Sequence, residues 1–354
     1  MNRLPTQDLV PVAKAVFNRH WGPLLSLDAL SGGRINDSFL VTVDRPPASA
    51  HSQRFVLQRI NTELFQRHEQ LIEQSLRVVT HLRSLPVASP RVPAWQPTTD
   101  GEYGVWTEHG LWRVLNFIEG EPLSRAAAEL AEARLRAAAA AFARLQDGLA
   151  TLPEPRLKPN IPYLYRYDLI TEAADEHRAR MPGLWVERLD RYRDQWLHLT
   201  ATDGYIHGDC KPDNILFLPE SVEPAAVLDL DTVMWGNRWW DFGDLVRSSV
   251  WADDRFSPGC YALLLEGFLG GGHAAQARRL RADLDRDAVL DAPMYVAFLL
   301  VLRYLNDHFE GDRHFKVERA GDNLIRAEER FQRLTQLMAA RSTMAATLDR
   351  WLGC

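Results

Sequence analysis

The segment Val227-Leu228-Asp229-Leu230-Asp231-Thr232 follows an apolar run, so it places two carboxylates at the end of a strand. Their i, i+2 spacing turns both to one side. Like charges that close repel unless a cation lies between them. Twenty residues before Asp229 stands Asp209, in Asp209-Cys210-Lys211-Pro212-Asp213-Asn214. Asp209 can accept a proton from a hydroxyl, or orient it. Asn214 offers an amide oxygen, a hard ligand suited to Mg2+. Lys211 offers a positive charge for an anion that gains charge during a reaction. Asp241 and Asp244 follow, so Asp209, Asp229, Asp231, Asp241 and Asp244 all fall within 36 residues.

The rest of the composition bounds what can surround this cluster. The chain has 354 residues, 46% of them hydrophobic and 25% charged, which excludes a disordered or fibrous protein. That length exceeds what one core usually serves, so two lobes are expected. The net charge of −6 argues against a nucleic-acid partner. The three cysteines, Cys210, Cys260 and Cys354, are far apart and form no CxxC pair, which fits a reducing, cytoplasmic setting. Met1 to Val10 lacks the apolar stretch of a signal peptide. The apolar run Pro293–Leu302 reads as a buried helix, because a membrane span needs roughly twenty residues. No protein partner is indicated.

Along the chain, Leu24–Ala29, Phe39–Val43 and Arg54–Gln58 read as strands punctuated by Gly32-Gly33 and Pro46-Pro47. A helix is predicted over Arg67–Ser84, then two strands over Val105–Glu108 and Trp112–Ile118. From Ser124, a plausible N-cap, an Ala-rich helix is predicted to Leu149. Further helices are expected over Leu169–Arg180 and Leu184–Thr200, with almost wholly helical patterning from Arg247 onward. The reading is α+β: a sheet-rich part over 1–118 and a larger helical part over 119–354.

Several residues in the first part are candidates for phosphate binding. Gly32 and Gly33 allow close approach of backbone to an anion. The third strand ends Gln58-Arg59, and alternation turns one of the two inward and the other outward, without saying which. Glu69 and Glu73 lie one turn apart on the following helix and are candidate ion-pair partners.

The pattern His207-x-Asp209 followed by Asn214 resembles the catalytic loop of kinases, in which the metal-binding Asp comes some twenty residues later. On that pattern Asp209 is the base, Asn214 and Asp229 are Mg2+ ligands, and Asp231 supports them. Asp241-Phe242-Gly243 spells the protein-kinase metal motif but lies 32 residues past Asp209 and opens a helix-like segment. It reads instead as a structural acceptor tying down the catalytic loop. The stretch from Asp231 to Asp241 is too short for the activation segment of a protein kinase. The chain resembles the aminoglycoside-phosphotransferase-like branch of the bilobal protein-kinase-like fold. The segments Gly33–Phe39, Phe55–Asn61, Leu228–Met234, Asp241–Asp244 and Asn323–Ala327 resemble the bacterial N-acetylhexosamine 1-kinases.

That resemblance implies an ATP- and Mg2+-dependent kinase acting on the C1 hydroxyl of GlcNAc or GalNAc. It implies that Asp244, Arg303 and the segment around His314 face the sugar. It also implies that Leu115–Ile118 is the hinge, whose backbone at Asn116 and Ile118 bonds adenine. His314 stands where the family pattern has an aromatic hydroxyl, and Trp235–Trp240 departs from its Pro-Gly turn. Other alcohols (an aminoglycoside, choline, homoserine or methylthioribose) are alternative acceptors. A cationic acceptor requires an acidic pocket, and the acidic run Asp283–Asp291 is interrupted by Arg286. A catalytically dead nucleotide-binding module is a further alternative, which the intact Asp209, Asn214 and Asp229 oppose.

Overall fold

The computed structural model describes residues 6–30, 35–44, 53–85, 90–271, 284–315 and 317–353. The chain forms two compact units. The first comprises Met1–Val79, Pro93–Ile118 and His314–Lys316; the second comprises Thr80–Val92, Glu119–Arg313 and Val317–Cys354.

The first unit is built on an antiparallel sheet. Its strands are β1 (Ser26–Ala29), β2 (Asp37–Val43), β3 (Gln53–Arg59), β4 (Trp95–Gln96), β5 (Val105–Thr107) and β6 (Gly110–Asn116). They lie in the order β1-β2-β3-β6-β4, with β5 also paired to β6. Alternation sorts the side chains by face. Leu27, Phe39, Val41, Leu57, Trp112 and Val114 form one core with Leu9, Ala13, Val16 and Phe17. The last three belong to helix α1 (Val10–His20), which the sequence reading did not anticipate. Its signal was legible: Ala13, Val16 and Phe17 keep the i, i+3, i+4 spacing of a buried stripe, and Pro11 suits a first turn. Helix α2 (His68–Ser84) follows β3, within a residue of the expected start.

The second unit is mainly helical. Helix α3 (Ala128–Leu149) starts four residues later than expected. Ser124 is not its N-cap: Leu123–Arg125 forms a separate 3-10 turn, and the Ser124 amide donates to Asp213 Oδ1 at 3.0 Å. Helices α4 (Tyr167–Glu176) and α5 (Gly183–Tyr192) are shorter than the predicted spans, each followed by a 3-10 turn. Helix α6 (Arg238–Ser249), α7 (Pro258–Gly270), α8 (Arg286–Phe309) and α9 (Asp322–Leu352) complete the bundle. By length and composition α8 would be apolar enough to cross a bilayer, but it is mostly buried among its neighbours. Gly243 on α6 lets that helix lie against α8, where an added Cβ would meet the Ala292 carbonyl oxygen at 2.4 Å.

Small strands carry the acidic segments. β8 (Gly204–Ile206) pairs with β11 (Met234–Gly236). β9 (Ile215–Phe217) pairs with β10 (Pro224–Val227) and with β7 (Glu121–Pro122). Arg134 of α3, fully buried, braces this region by donating to the Ser221 carbonyl at 2.7 Å, the Leu218 carbonyl at 3.1 Å and Glu121 Oε1 at 2.6 Å.

Candidate functional site

Strand β8 delivers the chain to His207, and Gly208 then turns it with φ +82°, a left-handed conformation that favours glycine. An added Cβ there would lie 2.6 Å from the Thr232 carbonyl oxygen, so the loop can press against the second acidic segment only through glycine. Three further bonds tie the segments together. Thr232 Oγ1 donates to the His207 carbonyl at 2.8 Å, the Leu228 amide donates to the Asn214 carbonyl at 2.8 Å, and His207 Nε2 lies 2.8 Å from the Leu228 carbonyl. The Asp209 amide donates to His207 Nδ1 at 3.2 Å, which leaves the ring proton on Nε2 for Leu228.

Asp241, buried in the first turn of α6, accepts the His207 amide at 2.8 Å and the Gly208 amide at 2.9 Å. Gln146 Nε2 of α3 donates to the same carboxylate at 2.8 Å. Asp241 is therefore a structural acceptor that fixes the loop. Gln146 is a support that sequence reading missed; a polar residue on the apolar stretch of α3 was its only signal.

The fixed loop presents Asp209. Lys211 Nζ stands 2.6 Å from Asp209 Oδ1, and Asn214 Nδ2 donates to the Asp209 carbonyl at 2.8 Å and to Oδ2 at 3.2 Å. Burial works to raise the Asp209 pKa, but Lys211 outweighs it and holds the carboxyl below its usual range. Burial likewise disfavours the Lys211 ammonium, and Asp209 outweighs that and raises its pKa. The two partners agree: the pair is ionised. Because Asn214 commits its NH2 group to Asp209, its amide oxygen faces the other way.

Asp229 does not sit on a strand. β10 ends at Val227, Asp229 adopts the left-handed region with φ 59° and ψ 56°, and Leu230–Thr232 forms a 3-10 turn. The strand alternation expected to aim Asp229 and Asp231 alike is therefore absent. A non-glycine residue in this conformation marks a backbone held by its surroundings, a common feature of functional sites. Asp231 is buried at 2% exposure, and its carbonyl accepts from Asn160 at 2.9 Å. Burial first, then the charges of Asp231 and Asp209, push the Asp229 pKa up to about 6. This carboxylate lies in a negative field that a cation would relieve. Among the described residues no three His, Cys, Asp or Glu side chains group as a metal cage. A Mg2+ site needs none, since that ion takes one or two carboxylates and completes its shell with water and phosphate oxygens. The oxygens of Asp229 and Asn214 suit it.

A pocket beside Asp209 is lined by Tyr165, Gly208, Asp244, Arg247, Leu299 and Arg303, among others, and holds about 30 Å3. Two of the residues expected to face an acceptor, Asp244 and Arg303, are thus brought together with Asp209. Tyr165 and Arg247 were not anticipated. His314, also expected there, falls with the first unit and is half-buried.

In the first unit, Gly32 and Gly33 lie outside the described residues. On β3, Gln58 and Arg59 part company as alternation requires. Arg59 pairs with Asp37 at 2.7 Å, not with the exposed Glu73. Gln58 Nε2 donates to Ser38 Oγ at 3.0 Å and its Oε1 accepts from Arg113 Nε at 2.9 Å. The Ser38, Gln58 and Arg113 positions are cross-strand partners, so the cation beside Gln58 is Arg113. The Asn116 amide donates to the Ala94 carbonyl at 2.9 Å, the Ala94 amide donates to Asn116 Oδ1, and the Phe117 amide donates to the Arg54 carbonyl at 3.2 Å. The Asn116 amide, expected to bond adenine, is therefore already committed to Ala94.

Solved structures share this fold. An aminoglycoside phosphotransferase, APH(4)-Ia, in a thermostable mutant form bound to ADP and hygromycin B, superposes with a TM-score of 0.55 at 15% identity, covering 94% of this chain and 98% of that one. ADP-bound APH(2″)-Ib matches with a TM-score of 0.53 at 14% identity over 94% of this chain and 98% of that one. The gentamicin complex of APH(2″)-IIa matches with a TM-score of 0.52 at 13% identity over 98% of this chain and 99% of that one. At these identities the likeness establishes the kinase-like fold. The family assignment comes from the sequence itself, whose residues 26–282 match the phosphotransferase enzyme family. That span includes both acidic segments, and the chain belongs to the phosphotransferase enzyme family.

Proposed function

We propose that this phosphotransferase moves the γ-phosphate of ATP to a hydroxyl of a neutral sugar, and that the hydroxyl is the anomeric one of an N-acetylhexosamine. The observation that carries the neutral acceptor is the charge of the pocket. Asp209 and Asp244 line it together with Arg247 and Arg303, so two carboxylates meet two guanidinium groups. A polycationic acceptor is favoured by an excess of carboxylates, which this lining lacks. The anomeric position rests on the resemblance of the motifs from Gly33 to Ala327.

Asp209 orients the attacking hydroxyl. Its low pKa keeps it an acceptor through the neutral range, and a loose transition state asks for positioning more than for early proton removal. Lys211, held beside Asp209, offsets charge growing on the transferred phosphoryl group. Asn214 and Asp229 would hold Mg2+, supported by Asp231, and the ion would supply positive charge against the phosphates. Asp241 and Gln146 keep the loop from relaxing. Gly32, Gly33 and Gln58 serve the phosphates of ATP, and Ile118 its adenine.

An aminoglycoside acceptor is the second reading, because the structures that share the fold include complexes with gentamicin and hygromycin B. A coupled assay of ADP release separates the two. GlcNAc or GalNAc should turn over, while aminoglycosides, choline and homoserine should not; turnover of the aminoglycosides alone would reverse the assignment. For the nucleotide, Gln58→Ala should raise the KM for ATP about three- to tenfold, the scale of one lost hydrogen bond. Arg59→Ala should instead lower thermal stability, since its charge is committed to Asp37. Equal ATP KM values in wild type and Gln58→Ala would remove β3 from the phosphate site.

A further inference from the structure

A second cavity lies on the side of α8 turned away from the catalytic loop. It holds about 380 Å3, within the range of small-molecule sites, against about 30 Å3 beside Asp209. Gln195 and Trp196 line it from the segment after α5, Asp291 and Met294 from α8, and Met338 and Arg341 from α9. The pocket at Asp209 takes Val296, Leu299, Leu300 and Arg303 of α8. At about 100° per residue, those four centre about 160° round the helix from Asp291 and Met294, so the two cavities are separate. Asp291 and Met294 flank Pro293, which has no N–H to give to the i−4 bond of a helix interior.

One part of the apolar wall is fixed and the other adaptable. Trp196 stacks on Tyr192 at 6.3 Å and 8° and packs against Phe298 at 5.6 Å. Met294 and Met338 add unbranched, polarisable thioethers, which suit aromatic rings. The polar edge is an ion pair with capacity left over. Asp291 Oδ1 accepts from Arg341 Nε at 2.7 Å, and Arg341 Nη2 donates to Asp287 Oδ1 at 2.9 Å. Among the described residues Arg341 Nη1 has no hydrogen-bond partner, and Asp291 Oδ2 has only His198 Nε2, at 3.5 Å. The pair therefore keeps one donor and one acceptor for a ligand. One carboxylate and one guanidinium in the lining sum to zero charge, and the exposed Asp287 makes the rim negative.

We propose that this cavity is a second ligand site, which takes a neutral nucleoside with its base against Trp196 and the two methionines. The base donates an N–H to Asp291 Oδ2 and accepts from Arg341 Nη1–H. Purine and pyrimidine edges carry a donor and an acceptor side by side, and plain aromatic rings do not. The volume accommodates a base together with its sugar. A phosphate is disfavoured, because the lining holds no cation beyond Arg341 and Asp287 repels it at the rim. A cationic ligand gains nothing from a lining of zero net charge. The site thus differs in its ligand, as well as in its place, from one that holds ATP.

The test is calorimetric titration of the full chain with inosine and with inosine 5′-monophosphate, in saturating ADP so that the catalytic nucleotide site is filled. Wild type should bind inosine with a Kd of about 0.05–1 mM, the scale for a ligand of about twenty heavy atoms. The monophosphate should bind at least about tenfold more weakly. Met338→Trp, which fills the cavity from a partly exposed position, should weaken inosine at least about tenfold. Arg341→Lys keeps the charge and loses the fork, and should weaken it about three- to tenfold. The Kd for ADP should be the same in all three proteins, which separates loss of the site from loss of the fold. Inosine that binds Met338→Trp as tightly as wild type sits elsewhere and overturns the assignment. So does a wild type that binds no inosine at about 10 mM, or one that binds the monophosphate more tightly. No acceptor enters these measurements, so their failure leaves the sugar reading untouched.

Discussion

Asp209→Asn should lower kcat about 10²- to 10⁴-fold, the usual worth of a positioned acid–base group, while the KM for ATP changes little. The effect originates in the loop. Asp241 holds the His207 and Gly208 amides, and Gly208 packs on Thr232, so the backbone at Asp209 is fixed before any ligand binds. Asn at this position keeps the size of the side chain and loses its charge. It no longer accepts from an incoming hydroxyl with two equivalent oxygens, and it releases Lys211, which stands 2.6 Å away. The defect should therefore lie in the transition state and not in the binding of ATP. Stopped-flow or steady-state assays at saturating ATP check it. A variant within threefold of wild type would remove Asp209 from the chemistry.

The second large effect has opposite signs on activity and stability. Asp229→Asn should reduce kcat/KM for Mg·ATP by about 10²-fold or more, because the residue proposed to hold the ion loses its charge. The same change should stabilise the metal-free protein at pH 7. In the folded state Asp229 has its pKa pushed up to about 6, from an ordinary value of 3.8. The native state then binds the proton more tightly than the unfolded chain, so stability falls as pH rises between those two values. Above about pH 6 the full cost is present, at most about 3 kcal/mol at 1.4 kcal/mol per pKa unit. Asparagine carries no such cost. Urea unfolding of both proteins in EDTA at pH 7 and pH 4.5 measures this. The variant should be the more stable at pH 7, with the gap closing at pH 4.5. A gap independent of pH would contradict the electrostatic account of Asp229.

How much of this was legible beforehand follows the range of the forces. The sheet strands, α2 and the buried stretch of α8 announce themselves by apolar period, which the residues themselves hold. Helix α1 also carried that period but was overlooked at the start of the chain. Ser124 misled, because Leu123–Arg125 closes as a separate 3-10 turn and the helix begins only at Ala128, out of reach of the Ser124 hydroxyl as a cap. Asp209 and Asn214 could be picked by spacing, since the loop is one local unit. Asp229 could be picked as well, though its left-handed backbone could not, because a non-glycine residue carries no local signal for that conformation. Arg113, Gln146, Tyr165 and Arg247 were out of reach for a common reason. Their places come largely from register or tertiary contact: Arg113 lies across the sheet from Gln58, and Gln146 reaches from α3 to Asp241.

The central claim is a phosphoryl group placed on an anomeric oxygen of a neutral sugar. Its most direct test is ATP turnover with GlcNAc set against the same sugar carrying a 1-O-methyl group, read as ADP release. The account predicts turnover of the free sugar and none above background for the methyl glycoside. Equal turnover of the two would show that another hydroxyl is attacked and would contradict it.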